Sequence, residues 1–313
     1  MSPDNKRATG NTKYHITGQN AHLPGEIYAI LSGLMFGLMP LITKTSYQYG
    51  SNPLMSSVGF YFYGSLWLLF LISCQSIRSG TRINLLISFG DLLRILILTP
   101  LSAGTVLLLN ISYKYIDSGL ATTLHFTYPI IVMLLSVSLF HIKNSLKDYL
   151  CLFLCITGIF LLYTKGEGNV QFIGVIIALF SGLMYAFFCA LFDHSKVCLL
   201  PALVTTFWLS VFSFCFMVPI SLLSRNFVFA LSFSRFLTHC VLGLVGGLLG
   251  SLFHQLSVQM CGSVKSSMLS TIEPVTSLIV GFVVYEESFS LKKLFGISAI
   301  LMSCVLLAYT RKS

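Results

Sequence analysis

The sequence predicts an all-α integral membrane protein of ten transmembrane helices, arranged as two inverted five-helix repeats. Three observations lead to this fold class. Only 9% of the 313 residues are charged and 55% are hydrophobic, with a mean hydropathy of +0.85. The apolar residues fall into ten runs, each close to the roughly 20 residues that a helix needs to cross a bilayer. The second half of the chain also repeats features of the first half in the same order.

The composition excludes an ordinary water-soluble domain. Such a domain has about a quarter of its residues charged, because its surface must be compatible with water. The net charge of +9 raises the alternative of nucleic-acid binding. The basic residues lie, however, in short connections between apolar runs, where they act as topology signals facing anionic lipid. We therefore expect the lipid bilayer as a partner, and no nucleic acid.

Ten candidate spans follow a polar N-terminal segment. Residues 1–25 predict a disordered cytosolic tail. The spans are predicted at 26–46, 54–76, 92–114, 117–140, 147–164, 172–193, 202–224, 235–257, 264–285 and 291–310. An even number of spans puts both termini on one side, and the segments on that side hold twelve of the 19 Lys and Arg residues, against seven on the other. Positive charge marks the cytoplasmic side, so we expect both termini in the cytoplasm.

The two halves of the chain share a pattern that predicts an internal repeat. The tetrapeptide SGLM begins at Ser32 in the first span and at Ser181 in the sixth. An offset of 145 residues relates Asn110 to Gln255, Pro129 to Pro274, Ser145 to Ser290 and Lys147 to Lys292. Each unit, 26–165 and 170–310, holds five spans, an odd number, so the second must be inserted upside down. Inverted repeats are common in secondary transporters, which bind substrate near the midplane between the halves.

These features resemble the EamA type of the drug/metabolite transporter superfamily over residues 26–310. The resemblance rests on the five-plus-five layout, on the SGLMFG and SGLMYA segments, and on the end of the second repeat. That end reads Glu273-Pro274, then Tyr285-Glu286-Glu287, and then Ser290 before the final span.

The first repeat departs from the family pattern. Tyr128 precedes Pro129, and His141 stands where Glu286 stands in the second copy. A symmetric mechanism built on paired glutamates is therefore not expected. The resemblance implies export of amino acids, drugs or other metabolites, whereas more distant relatives carry nucleotide-sugars. It also implies a bacterial inner (plasma) membrane.

Glu273 is the most informative polar residue within the spans. A charged carboxylate at the bilayer centre costs about 2–3 kcal/mol on insertion scales, so it should face a cavity or a partner. Ser266, Ser270 and Ser277 share its helical face, which favours a cavity. The alternative is that Glu273 accepts hydrogen bonds from Ser or Thr neighbours and only locks helices together.

Further residues are candidates for the same central site. The set predicted to bind substrate is Glu273, His125, Tyr128, Asn110, His254, Gln255, Tyr185 and Trp208, with Pro129 and Pro274 as helix kinks. Each type also has a structural interpretation: buried histidines often serve as neutral hydrogen-bonding groups, and aromatic residues often form the core or the interfacial belt.

The sequence therefore predicts a secondary transporter, an exporter or exchanger, of a small metabolite such as an amino acid, an amine or a drug-like cation. A nucleotide-sugar or nucleoside-type carrier is the alternative within the superfamily, and a membrane-embedded enzyme or receptor is the alternative outside it. No cofactor, metal ligand set or ATP-binding loop is recognised in the sequence. Transport would then be driven by exchange or by a coupled ion such as the proton, and the oligomeric state is left open.

Overall fold

A computed structural model of the chain contains only helices and loops in the part that it describes. This part comprises residues 24–80, 83–116, 118–141, 144–162, 171–224 and 232–285, together with 291–292, 295–296, 298–299, 302–303 and 306. The predicted cytosolic tail lies outside the described residues, apart from its last two positions. Glu286, Glu287 and Ser290, which belong to the sequence pattern of the second repeat, also lie outside them.

Thirteen α-helices make up the described fold. They are α1 (Gly25–Gly37), α2 (Met39–Gln48), α3 (Pro53–Ser79), α4 (Phe89–Ser112), α5 (Ser118–His125), α6 (Tyr128–Ser138), α7 (Leu146–Leu162), α8 (Phe172–Asp193), α9 (Ala202–Leu223), α10 (Phe233–Leu242), α11 (Ser251–Cys261), α12 (Ser263–Leu269) and α13 (Ile272–Tyr285). A short 3-10 helix, Lys196–Leu199, precedes α9, and a π-helix, Gly243–Gly250, joins α10 to α11.

Seven helical stretches of the described chain are long and apolar enough to cross a membrane. They are Gly25–Gln48, Pro53–Ser79, Phe89–Ser112, Ala121–Ser138, Phe172–Asp193, Ala202–Leu223 and Phe233–Cys261. Each overlaps one of the ten predicted spans. The fifth predicted span corresponds to α7, which has 17 residues, and the ninth to the pair α12 and α13. The all-helical membrane class is thus confirmed, and the count of ten stays a prediction.

The outer surface of the helices is apolar, as a lipid-facing surface must be. Phe70 on α3, Ile97 on α4, Phe153 on α7 and Phe180 on α8 are each more than half exposed. A water-soluble monomer rarely exposes apolar area on this scale. The described fold is therefore suited to a hydrocarbon environment on its outside.

Local sequence determines where several helices begin and end. The Asn52 side chain accepts a hydrogen bond of 2.9 Å from the Met55 amide, and Pro53 occupies the first turn of α3. Proline suits this position because it has no amide proton, and an amide proton in the first turn of a helix has no hydrogen-bond partner within the helix. At the other end of α3, Gly80 has a φ of 67°, a left-handed conformation that glycine adopts without a Cβ clash.

Besides the interruption at Leu38 between α1 and α2, two of the predicted spans are broken in the middle, at nearly equivalent positions. The first break separates α5 from α6 immediately before Tyr128-Pro129, and the second separates α12 from α13 just before Glu273-Pro274. Proline has no amide proton and clashes with the carbonyl four residues earlier, so it interrupts an α-helix. The two breaks, at Phe126-Thr127 and Ser270-Thr271, follow the offset of 145 residues between the two prolines to within one residue.

The repeated SGLM segments pack against these breaks in a reciprocal way. Gly182, in the second SGLM segment, lies against the first break, and a Cβ built on it would be 2.6 Å from the His125 carbonyl oxygen. Gly33, in the first SGLM segment, lies against the second break, and its Cβ would be 3.0 Å from the Ser270 carbonyl oxygen. Because each half packs on the break of the other, both breaks lie between the halves.

The π-helix packs on α3 through glycines, and it positions α11. A Cβ on Gly247 would lie 2.8 Å from the Cα of Gly64, and one on Gly243 would lie 2.6 Å from the Gly64 amide nitrogen. Such small residues let two helix backbones approach closely in a membrane. The close approach brings the following helix, α11, with His254 and Gln255, toward the centre of the protein.

Candidate functional site

A cavity of about 100 Å³ lies between the two halves. Its wall combines apolar and aromatic side chains with a small number of polar ones, as small-molecule sites generally do. It is formed by Phe36, Met39, Phe60, Tyr61, Ser102, Thr105, Val106, Leu109, Asn110, Tyr113, His125, Tyr185, Phe188, Leu209, Ser251, His254, Gln255 and Glu273. Six of the eight residues selected from the sequence as substrate ligands are among them: Asn110, His125, Tyr185, His254, Gln255 and Glu273.

The carboxylate of Glu273 faces this cavity from the first turn of α13. The residue is 8% exposed, and no hydrogen bond or ion pair from another described residue reaches its carboxylate. The serines on the same helical face do not hold it: the Ser270 hydroxyl donates to the Ser266 carbonyl oxygen at 2.9 Å, and the Ser266 hydroxyl has no partner. This arrangement counts against a purely structural lock.

Two further polar atoms of the wall, both on α11, also lack partners. His254 Nδ1 and Gln255 Oε1 are buried and accept or donate no hydrogen bond within the described chain. The other ring nitrogen of His254 lies 3.4 Å from the Cys189 sulfur. A buried polar atom without a partner is costly, so a group that enters the cavity and pairs with these atoms would bind favourably.

The hydrogen bonds around His125 determine which of its nitrogens carries the proton in the neutral ring. Its Nδ1 lies 2.9 Å from the Ser181 hydroxyl oxygen, and that hydroxyl donates to the Ala178 carbonyl oxygen at 2.7 Å. A hydroxyl has a single proton, so Nδ1 must be the donor in this pair. Nε2 of the neutral ring is then an acceptor.

Asn110 lines the cavity but also ties helices together. Its side-chain amide donates to the Ser57 hydroxyl of α3 at 3.0 Å. The Tyr47 hydroxyl of α2 donates to the backbone carbonyl oxygen of Asn110 at 3.0 Å. This residue therefore fixes α4 against α2 and α3 at the edge of the cavity.

Tyr128 lies behind the wall of the cavity. It is only 1% exposed, and its ring centre is 5.5 Å from that of His125 and 4.7 Å from that of Tyr185. The Tyr185 ring is in turn 5.3 Å from that of His254. The Tyr185 ring thus contacts both histidines, His125 at 5.5 Å and His254, and Tyr128 packs against His125 and Tyr185.

Trp208 lies outside the cavity, contrary to the expectation that it binds substrate. Its indole nitrogen donates to the Leu85 carbonyl oxygen at 2.8 Å, and its ring packs against Phe207 and Phe212. Neighbouring side chains on an α-helix point about 100° apart, and Leu209 is the α9 residue that reaches the cavity. Trp208 instead fixes the segment before α4 to α9.

The wall contains few groups that can carry charge. Apart from tyrosines, its ionisable side chains are Glu273, His125 and His254, and no Lys or Arg belongs to the described wall. Of the lysines that the sequence places nearest to the site, Lys265 forms an ion pair of 2.8 Å with Glu26 near the start of α1. Within the described chain no group of three or more His, Cys, Asp or Glu is arranged to hold a metal ion.

Several wall residues were not predicted from the sequence. Phe36 and Phe188 are examples, together with Met39, Tyr113 and Leu209. For Phe36 a signal existed, because it follows the first SGLM segment as Tyr185 follows the second. The other four are apolar or aromatic residues in apolar helices, and their sequence positions do not distinguish them from core residues.

Comparisons with known proteins identify relatives of this chain. It matches the EamA-like transporter family twice, over residues 23–164 and 172–309, which confirms the resemblance found in the sequence. An uncharacterized transporter of Synechocystis sp. is 26% identical over 212 residues, which cover 66% of this chain and 64% of that protein. This chain thus spans 64% of the length of the curated relative that it matches. A protein of known crystal structure has a similar fold, with a TM-score of 0.72 and 13% identity over 90% of this chain and 95% of the other.

Proposed function

Because this chain belongs to the EamA-like transporter family, and is therefore a membrane transporter, we propose that it carries a small metabolite through the central cavity by secondary transport. The substrate class is an amino acid, an amine or a drug-like cation. The residues proposed to contact it are Asn110, His125, Tyr185, His254, Gln255 and Glu273. Tyr128 supports them from behind, and the breaks before Pro129 and Pro274 let the surrounding helices move.

One observation carries this proposal: a carboxylate without a protein partner faces a cavity between two broken helices. Glu273 is buried and unpaired within the described chain, and no Lys or Arg of the described wall can neutralise it. Ionisable residues within membrane spans are expensive and usually serve function. Discontinuous helices are typical of transporter binding sites. A positively charged or amine-bearing substrate fits this charge best.

The architecture proposed for transport is ten helices in two inverted repeats. The equivalent breaks and the reciprocal packing of the SGLM glycines support it, as do the two family matches. With ten spans both termini lie on one side, and the excess of Lys and Arg favours the cytoplasm. The bacterial inner (plasma) membrane is the location that we propose.

The driving force proposed is exchange or proton coupling through Glu273. A carboxyl group can hold either a proton or a cationic substrate, and the two then compete for one site. Alternation between these occupants would couple outward movement of substrate to inward movement of protons. An exporter or exchanger needs no ATP-binding site on this chain.

A nucleotide-sugar or nucleoside-type carrier is the second candidate within the superfamily, and the cavity disfavours it. A pyrophosphate group requires basic partners, which the described wall lacks. The cavity volume of about 100 Å³ is also below the roughly 300–1,000 Å³ of sites for drug-sized ligands. A small cation or zwitterion fits both properties better. The family also indicates a transporter and not an enzyme.

The substitution Glu273→Gln tests this proposal, because it removes the charge and retains the shape. The purified variant in proteoliposomes should lose most of its exchange of labelled amines and amino acids, and any dependence on a pH gradient should disappear with it. Asp91→Asn is the matched control, since Asp91 lies at the start of α4 and pairs with Arg94 outside the cavity. A folded Gln variant that transports at the wild-type rate with the wild-type pH dependence would refute the role of Glu273.

A further inference from the structure

We infer that the cavity selects a compact primary amine that has no carboxylate, and discriminates against the amino acid with the same side chain. This inference rests on the proposed function and narrows its substrate class. It is carried by three properties of the wall: unpaired hydrogen-bond acceptors, the absence of a basic partner, and an apolar remainder of small volume.

The first property is a group of acceptors that match an ammonium ion. Glu273 and Gln255 both line the cavity, and Gln255 Oε1 has no hydrogen-bond partner within the described chain. His125 Nε2 is a third acceptor of the wall, since Nδ1 donates to Ser181. A primary ammonium has three N–H donors and no acceptor. Three wall residues that each offer an acceptor are therefore complementary to it in number and in type.

The second property is that nothing basic in the described wall could pair with a substrate carboxylate. Lys265 is held by Glu26 at 2.8 Å. Two backbone amides at the second helix break are also occupied: the Thr271 amide donates to the Met268 carbonyl oxygen at 3.2 Å and the Glu273 amide to that of Ser270 at 2.9 Å. An α-carboxylate on the substrate would lie close to the Glu273 carboxylate, and like charges repel strongly in a low-dielectric site.

The third property is the apolar part of the wall. Phe36, Phe60, Phe188 and Leu209 surround the remaining space. The volume of about 100 Å³ is smaller than the cavity of roughly 150 Å³ that holds benzene in an engineered protein core. A short branched alkyl chain therefore suits this space, and its aromatic walls also favour a cation by contact with their faces.

Matched pairs of probes test the inference in proteoliposomes. Isobutylamine is compared with valine, and 3-methylbutylamine with leucine, because each pair differs only by the carboxylate. We expect each amine to inhibit the exchange of a labelled amine at a concentration at least tenfold lower than its amino acid does. Equal competition, or preference for the amino acid, would overturn the inference and leave the proposed metabolite transport intact. If no amine, amino acid or organic cation of a broad panel were exchanged, both the inference and the proposed function would be rejected.

A second variant tests recognition through N–H donors. Gln255→Met removes one acceptor and preserves side-chain length. It should weaken competition by isobutylamine about tenfold, as loss of a hydrogen bond to a charged group does. It should leave competition by tetramethylammonium unchanged, since that cation has as many non-hydrogen atoms as isobutylamine and no N–H. An equal loss for both cations would mean that Gln255 acts only on the shape of the cavity and would contradict the inference.

Discussion

The substitution Gly182→Ala probes the contact on which the arrangement of the two halves depends. The three atoms nearest to a Cβ on Gly182 all belong to the backbone of His125, and the closest, its carbonyl oxygen, would be 2.6 Å away. Ordinary contact begins at 3.4 Å. Backbone atoms at a helix break cannot turn aside as a side chain can, so α8 and the break must separate.

The expected cost is about 1–3 kcal/mol of folding free energy, the usual range for overpacking a well-packed interior. Gly33→Ala should cost a similar amount. There the nearest atom, at 2.4 Å, is the Cγ2 methyl group of Ile272, which moves only when the stiff χ1 torsion of this β-branched side chain changes, and the backbone oxygen of Ser270 is 3.0 Å away. The assay is the apparent melting temperature of the purified protein in detergent, together with amine exchange in proteoliposomes.

Gly90→Ala is the matched control for this experiment. Gly90 lies in the first turn of α4, and the atom nearest to its added Cβ is a guanidinium nitrogen of Arg94 at 3.6 Å. Alanine should there be neutral or stabilise by about 0.5–1 kcal/mol, because it restricts the unfolded chain. The reasoning would be refuted if Gly182→Ala melted at the wild-type temperature, or if Gly90→Ala and Gly182→Ala lowered it equally.

Two further predictions concern an ion pair and the orientation of the chain in the membrane. Lys265→Met should destabilise the protein by about 1 kcal/mol, because the side chains of its ion pair with Glu26 are only 18% and 13% exposed. In a double-mutant cycle of melting temperatures, Lys265→Met and Glu26→Gln should be coupled, and strict additivity of the two effects would count against the ion pair. Cysteine labelling in intact cells should leave residues 1–25 and 311–313 protected and modify the connection between Arg225 and Arg235; labelling of the tail from outside would overturn the proposed orientation.

Much of the fold follows from local chemistry that can be read along the chain. A scarcity of charged residues means that the outer surface faces lipid, and the apolar runs mark the helices. Pro129 and Pro274 mark places where a helix can break, because a proline lacks the amide proton, although Pro100 and Pro219 lie inside continuous helices. The offset of 145 residues between them is a property of the sequence alone.

The composition of the candidate site depended on features that the sequence does not specify. Glu273, Gln255 and His254 could be selected in advance, since polar groups in apolar spans require a reason. Trp208 was also selected in advance, but it is not among the residues that line the cavity, whereas its neighbour Leu209 is.

By itself, therefore, the sequence determined the membrane class, the candidate helix kinks and the polar residues that needed explaining. Only the tertiary structure decided which of these residues share a cavity, and which of them remain without partners. The physical reason is that helix rotation and side-chain pairing are set by contacts between distant segments, such as Gly182 with His125 and Gly247 with Gly64. In an apolar helix every face is compatible with lipid or with a core, so periodicity alone cannot indicate which face turns toward a substrate.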